Sequence, residues 1–344
     1  MMVRLVAITV LGMGLQSITA FESYSTEPTD NPLKAKMGLP LKEGGFVREG
    51  FHLWDPSIVK VGDIYHLFAS CWPDDDFQKW KQSYAVRATS KNLLGPYTYV
   101  EDVLLPRPGN FFDSQGVHNP KVIFHEGKYY LYHLGIPRWQ SGVAVADSIE
   151  GPWERRDESC IPLNNPAMWI HDDGSVYGVG KVKIPNPKYD GSKEFNHQFH
   201  YLQAVKGNSI FGPYTHLHGK KENALPENFE NEDPCIWFDG ERYHVLVTDL
   251  HGYATGLRRG FTYYTSEGGL KYELVSKDPL FSMMHPIRFA DGSEFKFARI
   301  ERPNVVLNEK GEVIAVLAAC LPPKNQGGSR ILVFPVNKYY RSGD

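Results

Sequence analysis

The sequence predicts an all-β fold, a five-bladed β-propeller of four-stranded antiparallel blades, on three observations. An X-Pro dipeptide followed by an apolar run recurs five times along the chain. Each recurrence leads through a short turn into a second alternating strand, the outline of a hairpin. A second mark, Gly-Pro followed by an aromatic residue, falls late in three of the units. No helical periodicity longer than a turn or two competes. A β-sandwich would not explain why the same dipeptide position recurs at every unit.

The five units follow in order. Trp54-Asp55-Pro56-Ser57 leads through Gly62-Asp63 to Ile64–Phe68, and His118-Asn119-Pro120-Lys121 leads through Gly127 to Tyr129–Tyr132. Asn164-Asn165-Pro166-Ala167 leads through Asp173-Gly174 to Val176–Val179. Glu232-Asp233-Pro234-Cys235 and Glu301-Arg302-Pro303-Asn304 do the same through Gly240 and Gly311. Successive prolines are 64, 46, 68 and 69 residues apart, so one blade has trimmed loops. The second mark is Gly95-Pro96-Tyr97, Gly151-Pro152-Trp153 and Gly212-Pro213-Tyr214, a turn where the chain reverses and an aromatic restarts it. Intervals of this size suit blades that bury both faces of each sheet by radial repetition.

Residues 1–20 read as a secretory signal peptide: Arg4, an apolar run from Leu5 to Leu15, then small residues to Ala20. The run is too short to span a bilayer well, and no second candidate span follows. The expectation is an exported protein, periplasmic or secreted, with one propeller domain over residues 25–340. Net charge is −3 with no basic stripe, which excludes nucleic acid and an anionic membrane surface as expected partners. Cys71, Cys160, Cys235 and Cys320 show no metal-ligand spacing; Cys71, Cys235 and Cys320 lie in apolar runs and read as small buried hydrophobes, with a disulfide left open.

In a propeller the first strand of each blade lines the axis, so repeat-equivalent residues converge. The residues before the prolines are Asp55, Asn119, Asn165, Asp233 and Arg302, and one position earlier stand Trp54, His118, Asn164, Glu232 and Glu301. Polar groups at a place of expected burial need partners or a ligand, although Asp and Asn at strand starts also serve as turn caps. Four acids at one end of an axis repel unless something uses them. Glycosidic bond cleavage needs two carboxyl groups, one to protonate the leaving oxygen and one to activate water or attack. The catalytic candidates are Asp55, Glu232, Asp233 and Glu301. The substrate-binding candidates are Trp54, His118, Asn119, Asn165, Trp169 and Arg302, with Trp54 and Trp169 placed to stack on a sugar face.

The Asp-Pro strand, the Glu-x-Pro element of the fourth unit and the Gly-Pro-aromatic turns resemble glycoside hydrolase family 43 and its five-bladed relatives over most of the chain after residue 50. That resemblance implies an Asp base on the first blade, matched by Asp55, and a Glu acid on the fourth, matched by Glu232. It also implies an Asp on the third blade that tunes the acid; Asn165 stands there instead, so either Asp233 takes over that task or the acid lies elsewhere. The chain is also similar to the neoagaro-oligosaccharide hydrolases, which imply Asp55 as base, a His acid, and Asp233 and Glu301 as sugar-positioning groups; His118 is a candidate for that acid but does not match the family motif. The expected activity is exo-acting hydrolysis of plant or algal oligosaccharides or polysaccharides by inversion. Segments 185–200 and 251–260 are expected to wall one end of the axis into a pocket. No cofactor is expected, apart from a structural cation on the axis that the resemblance makes a candidate, with His285 near its water shell. The rivals are a non-catalytic carbohydrate-binding propeller and a protein-interaction scaffold.

Overall fold

The computed structural model describes residues 23–25, 27–185, 198–220, 222–225 and 230–337. The expected leader over residues 1–20 and the expected wall over 186–197 lie outside these residues. Four antiparallel sheets of four strands and one of three, each running in sequence order from the axis outward, form the predicted blades. The first blade runs through Phe51–Val61, Ile64–Pro73, Tyr84–Ser90 and Thr98–Leu104. The second runs through Gly116–His125, Lys128–Ile136, Gln140–Ala146 and a two-residue outer strand, Glu154–Arg155, which is where the short repeat interval loses its length. Asn164–Ile170, Val176–Pro185, Gln198–Gly207 and Tyr214–His216 make the third, and Asn231–Phe238, Tyr243–Asp249, Gly260–Ser266 and Glu273–Leu274 the fourth.

The fifth blade has three strands, Arg299–Leu307, Val313–Leu321 and Arg330–Pro335, and is completed from the other end of the chain. Met37 bridges Val336, and Phe46 pairs antiparallel with Ile331, with backbone hydrogen bonds of 3.0 Å in both directions. Phe46 also bridges Tyr97 of the first blade, so one segment closes the ring. Gly45 permits the approach: it sits at φ 66°, and a Cβ there would lie 1.9 Å from the Ile331 carbonyl oxygen.

Five buried hydrophobic clusters hold the molecule, one at each interface between neighbouring blades. Phe68, Leu104 and Leu131 join the first blade to the second; Tyr132, Leu163 and Met168 join the second to the third. Tyr177, Leu202 and Val245 join the third to the fourth; Leu246, Phe261 and Phe334 the fourth to the fifth; Leu317, Val333 and Trp72 the fifth to the first. Each such buried side chain contributes about 1.5–3 kcal/mol. Cys71, Cys235 and Cys320 lie buried in these clusters, and all four cysteines are free thiols. Among the described residues, no helix is long and apolar enough to cross a membrane.

Candidate active site

The X-Pro dipeptides lie inside the inner strands rather than at turns. In every blade the two residues face a single residue of the second strand: Asp55-Pro56 face Ala69, Asn119-Pro120 face His133, and Asn165-Pro166 face Gly180. Asp233-Pro234 face Val247 and Arg302-Pro303 face Ala318 in the same way. Each inner strand therefore carries a bulge, which takes the proline nitrogen out of the ladder and re-aims the preceding side chain. That residue has positive φ in all five: 54° at Asp55, 54° at Asn119, 47° at Asn165, 58° at Asp233 and 64° at Arg302. Asp and Asn tolerate the left-handed region best among residues with a Cβ, which accounts for four of the five. Turn capping at strand starts is thereby corrected, because the strands run on through the motif.

The five side chains build the floor of a site. Asp55 is fully buried; its Oδ2 accepts hydrogen bonds from Ser70 Oγ at 2.6 Å and the Asn119 amide at 3.2 Å, and lies 3.1 Å from His118 Nε2. Arg302 Nη1 bridges Asp55 Oδ1 at 3.1 Å and Asp233 Oδ1 at 2.5 Å, and Asn165 Nδ2 donates to that same Asp233 oxygen at 3.0 Å. A left-handed Arg carries backbone strain of about 1–3 kcal/mol; two buried carboxylates hold it there. Asn119 Oδ1, Asn165 Oδ1 and Asp233 Oδ2 are buried without a hydrogen-bond donor and Asp55 Oδ1 has only its ion pair with Arg302, which fits bound water at the axis. A further cation does not fit this floor, since the Arg302 guanidinium already sits between the two carboxylates. Among the described residues no group of three or more His, Cys, Asp or Glu side chains stands ready for a metal, and His285 is exposed on a turn.

Above the floor opens a cavity of about 410 Å³. Trp54, Trp72, Phe77, Trp80 and Trp139, all from the first two blades, give it an aromatic wall. Glu232, Glu301, Lys181, His200 and Arg259 come from the third to fifth blades. Of the candidates from sequence, Trp54, His118, Asn165, Glu232, Glu301 and Arg302 line the cavity, while Asp55, Asn119 and Asp233 lie beneath the lining. Trp54 is 2% exposed and packs edge-on to Phe77, so it backs the wall more than it presents a face. Trp169 is corrected: it lines a separate cavity at the other end of the axis and packs against the clusters flanking the fourth blade. Four residues beyond Asn165, it is about 13 Å farther along the inner strand.

The ionisation pattern is uneven. Burial alone would raise Asp55, but Arg302, His118, Lys121 and the Ser70 hydrogen bond together hold it below its usual range. Burial, then the neighbouring Glu232 charge, push Asp233 upward against Arg302. Glu232 is held well below the carboxylate range, because Lys181 at 2.6 Å, then His200, outweigh its burial. Burial drives His118 and His200 down to about 4, so both are neutral at pH 7.

Sequence reasoning missed Glu230, the other partner of this corner. His200 Nδ1 lies 3.3 Å from Glu230 Oε2 and 3.2 Å from Glu232 Oε1, and burial, then Glu232, push Glu230 up to about 7. It also missed Lys181, whose signal is a lysine in the apolar strand Val176–Pro185. The aromatics Phe77, Trp80 and Trp139 sit in connections between strands, where large apolar side chains are themselves a signal. Of the two expected walls, segment 251–260 contributes Arg259, whose guanidinium contacts Glu301.

No protein-family profile matches the chain. It is 29% identical over 150 residues to an extracellular endo-α-(1→5)-L-arabinanase of Thermotoga petrophila, covering 41% of this chain and 29% of that one. It is 22% identical over 292 residues to a xylosidase/arabinosidase of Butyrivibrio fibrisolvens, covering 81% and 51%. The chain thus spans about half or less of these relatives. Among solved structures it is similar to a family 117 glycoside hydrolase of Zobellia galactanivorans, with a TM-score of 0.62, 16% identity and coverage of 87% and 89%. A thermostable family-43 glycoside hydrolase matches with a TM-score of 0.60, 16% identity and coverage of 86% and 92%. Both sets of relatives are glycoside hydrolases, and the structures share the propeller fold predicted from sequence.

Proposed function

We propose that this chain is an exported glycoside hydrolase that takes the terminal sugar of a plant or algal oligosaccharide into the 410 Å³ cavity and cleaves its glycosidic bond by inversion. One observation carries the reading: carboxyl groups around one cavity have environments that drive their ionisation apart, Asp55 downward beneath the floor and Glu230 upward behind Glu232. Asp55 is held ionised at the floor, as a base requires. At the wall, Glu230 and Glu232 flank His200 Nδ1 at 3.3 and 3.2 Å, and burial, then Glu232, raise Glu230 to about 7, so Glu230 is the group that retains a proton near neutral pH. Glu230 would give up that proton through His200 Nδ1 to Glu232, which lines the cavity and would pass it to the leaving oxygen, leaving Glu230 ionised. Asp55 would deprotonate a water held among the donor-less oxygens of the floor, and the aromatic wall would stack on the ring. Names of the sequence relatives, an arabinanase and a xylosidase/arabinosidase, support the substrate class; "extracellular" in the first supports export. The aromatic wall and the Arg259 segment bound the cavity, which supports terminal rather than internal cleavage.

A second reading, a carbohydrate-binding propeller without catalysis, is favoured by Asn165 where a carboxylate is implied and by the sealing of Asp55 and Asp233 below the lining. The deciding experiment screens the purified protein against arabino-, xylo-, galacto- and agaro-oligosaccharides, with product anomers followed by NMR. Hydrolysis lost in Asp55→Asn, with the fold intact, supports the proposal. Binding without hydrolysis on every class overturns it in favour of the second reading.

A further inference from the structure

The cavity is more basic than its acids can balance. Lys81, Lys181, Lys183, Arg259, Arg299 and Arg302 line it, against Glu232 and Glu301, with Asp55 and Asp233 just beneath. The whole chain has the reverse bias, 37 basic to 40 acidic side chains. Three of the cations are committed: Lys181 to Glu232, Arg302 to the two aspartates and Arg259 to Glu301. Arg299 lies 3.8 Å from the Glu301 oxygen that Arg259 already holds, and its guanidinium sits 5.1 Å from the centre of the Phe77 ring. Lys81 and Lys183 are exposed and have no ion pair among the described residues. The crowding is costly. Arg259 sits at φ 49°, and burial, then the Arg299 charge, pull it down to about 10.

Hydroxyl groups of a neutral sugar can accept hydrogen bonds from these side chains but cannot neutralise them. A carboxylate or a sulfate ester does both, and an Arg fork matches either in a two-point contact. We propose that the sugar taken by this cavity is anionic, a uronic acid or a sulfated sugar, with Arg299 and Lys183 as the residues that select its charge. The ring lies against the aromatic wall of the first two blades, and its anionic substituent points to the basic side formed by the later blades. This inference rests on the glycosidase reading for its site, and its test is separable from it.

Titration calorimetry of the full chain with methyl glycosides of glucuronate, galacturonate, glucose and galactose, and with galactose 6-sulfate, reads the preference directly. At least one anionic sugar is expected to bind 10-fold or more tighter than its neutral counterpart, and to weaken several-fold between 25 and 200 mM salt. Uronate and sulfate arms tell the two sources of charge apart. The Lys183→Gln/Arg299→Gln variant, checked for an unchanged melting temperature, is expected to cut the preference to 3-fold or less. Lys183→Arg restores most of it on the Arg299 background. Equal binding of neutral and anionic sugars, no binding of any, or a preference untouched in the double variant overturns the inference. Anion preference without hydrolysis of any glycoside keeps the inference and overturns the hydrolase reading alone.

Discussion

Replacing Arg302 by Met puts the floor of the site to its hardest test. Its guanidinium is the shared counter-charge of Asp55 and Asp233, all three being buried. Removing one partner of a buried ion pair costs about 3–5 kcal/mol, because the remaining charge is stranded. At about 2 °C per kcal/mol for a chain of this size, the melting temperature should fall by about 6–10 °C. Asp233 is the group that protonates first, since burial and Glu232 have already raised it. Asp55 is then left with His118, Lys121 and Ser70. Adding Asp233→Asn should therefore recover about 1–6 °C, a coupling of about 0.5–3 kcal/mol between the two sites. In the native protein the depressed Asp55 adds stability above its unfolded pKa and loses it as pH falls through the folded one. In Arg302→Met that acid-side loss should begin at higher pH. Melting followed by circular dichroism from pH 4 to 8, at fixed ionic strength, reads all three effects. A fall of less than 2 °C, or full additivity of the two substitutions, would refute the charge-bridge account.

Asp55→Asn should lower hydrolysis by about 10²–10⁴-fold while leaving the melting temperature within a few degrees, as initial rates and calorimetry would show. Glu230→Gln should move the alkaline limb of the kcat/KM profile, expected near pH 7 in the native protein, to lower pH, because Glu232 alone is held ionised by Lys181; an unmoved limb separates Glu230 from proton supply. Glu230 and Asp233 both have folded pKa values above their unfolded ones, so their stabilisation is complete below about pH 4 and fades as pH rises through about 6 to 7. Melting temperatures measured from pH 5 to 8 should decline, and Glu230→Gln should flatten part of that decline. Trp139→Ala, at a side chain 43% exposed on the aromatic wall, should weaken sugar binding by about 3- to 10-fold without moving the pH profile.

The dipeptide repeat was legible because a bulge in a propeller strand leaves a local mark: a polar residue that tolerates positive φ, then proline, then an apolar run. Five such marks give the blade count, and the short interval gives the trimmed second blade. What escaped the sequence sits off the repeat. Lys181 and His200 lie on the second and third strands of the third blade and Glu230 just ahead of an inner strand, so no alignment of units places them beside Glu232. Their absence from the reading is why Glu232 looked like a simple acid, when Lys181 holds it ionised and Glu230 keeps the proton. Trp169 was misplaced for the opposite reason. It belongs to a repeat unit, but four residues of extended chain carry it to the far mouth of the axis. The completing edge of the fifth blade left no alternating pattern, because Met37 and Phe46 join it through isolated bridges.

That closing edge sets the timetable of assembly. Met37 and Phe46, made early, can reach Val336 and Ile331 only when the other end of the sequence exists, although Phe46 already has its bridge to Tyr97 of the first blade. Blades can collapse one after another during synthesis, yet the circle cannot shut before the last of them is complete. Until then the Phe46 N–H and carbonyl that will pair with Ile331 present bare backbone, the form of chain most prone to pair with a neighbour. Shutting the circle is among the longest-range contacts of the described residues, and such contacts form late. A chain halted before residue 331 would keep four of its sheets and still be a strip rather than a wheel.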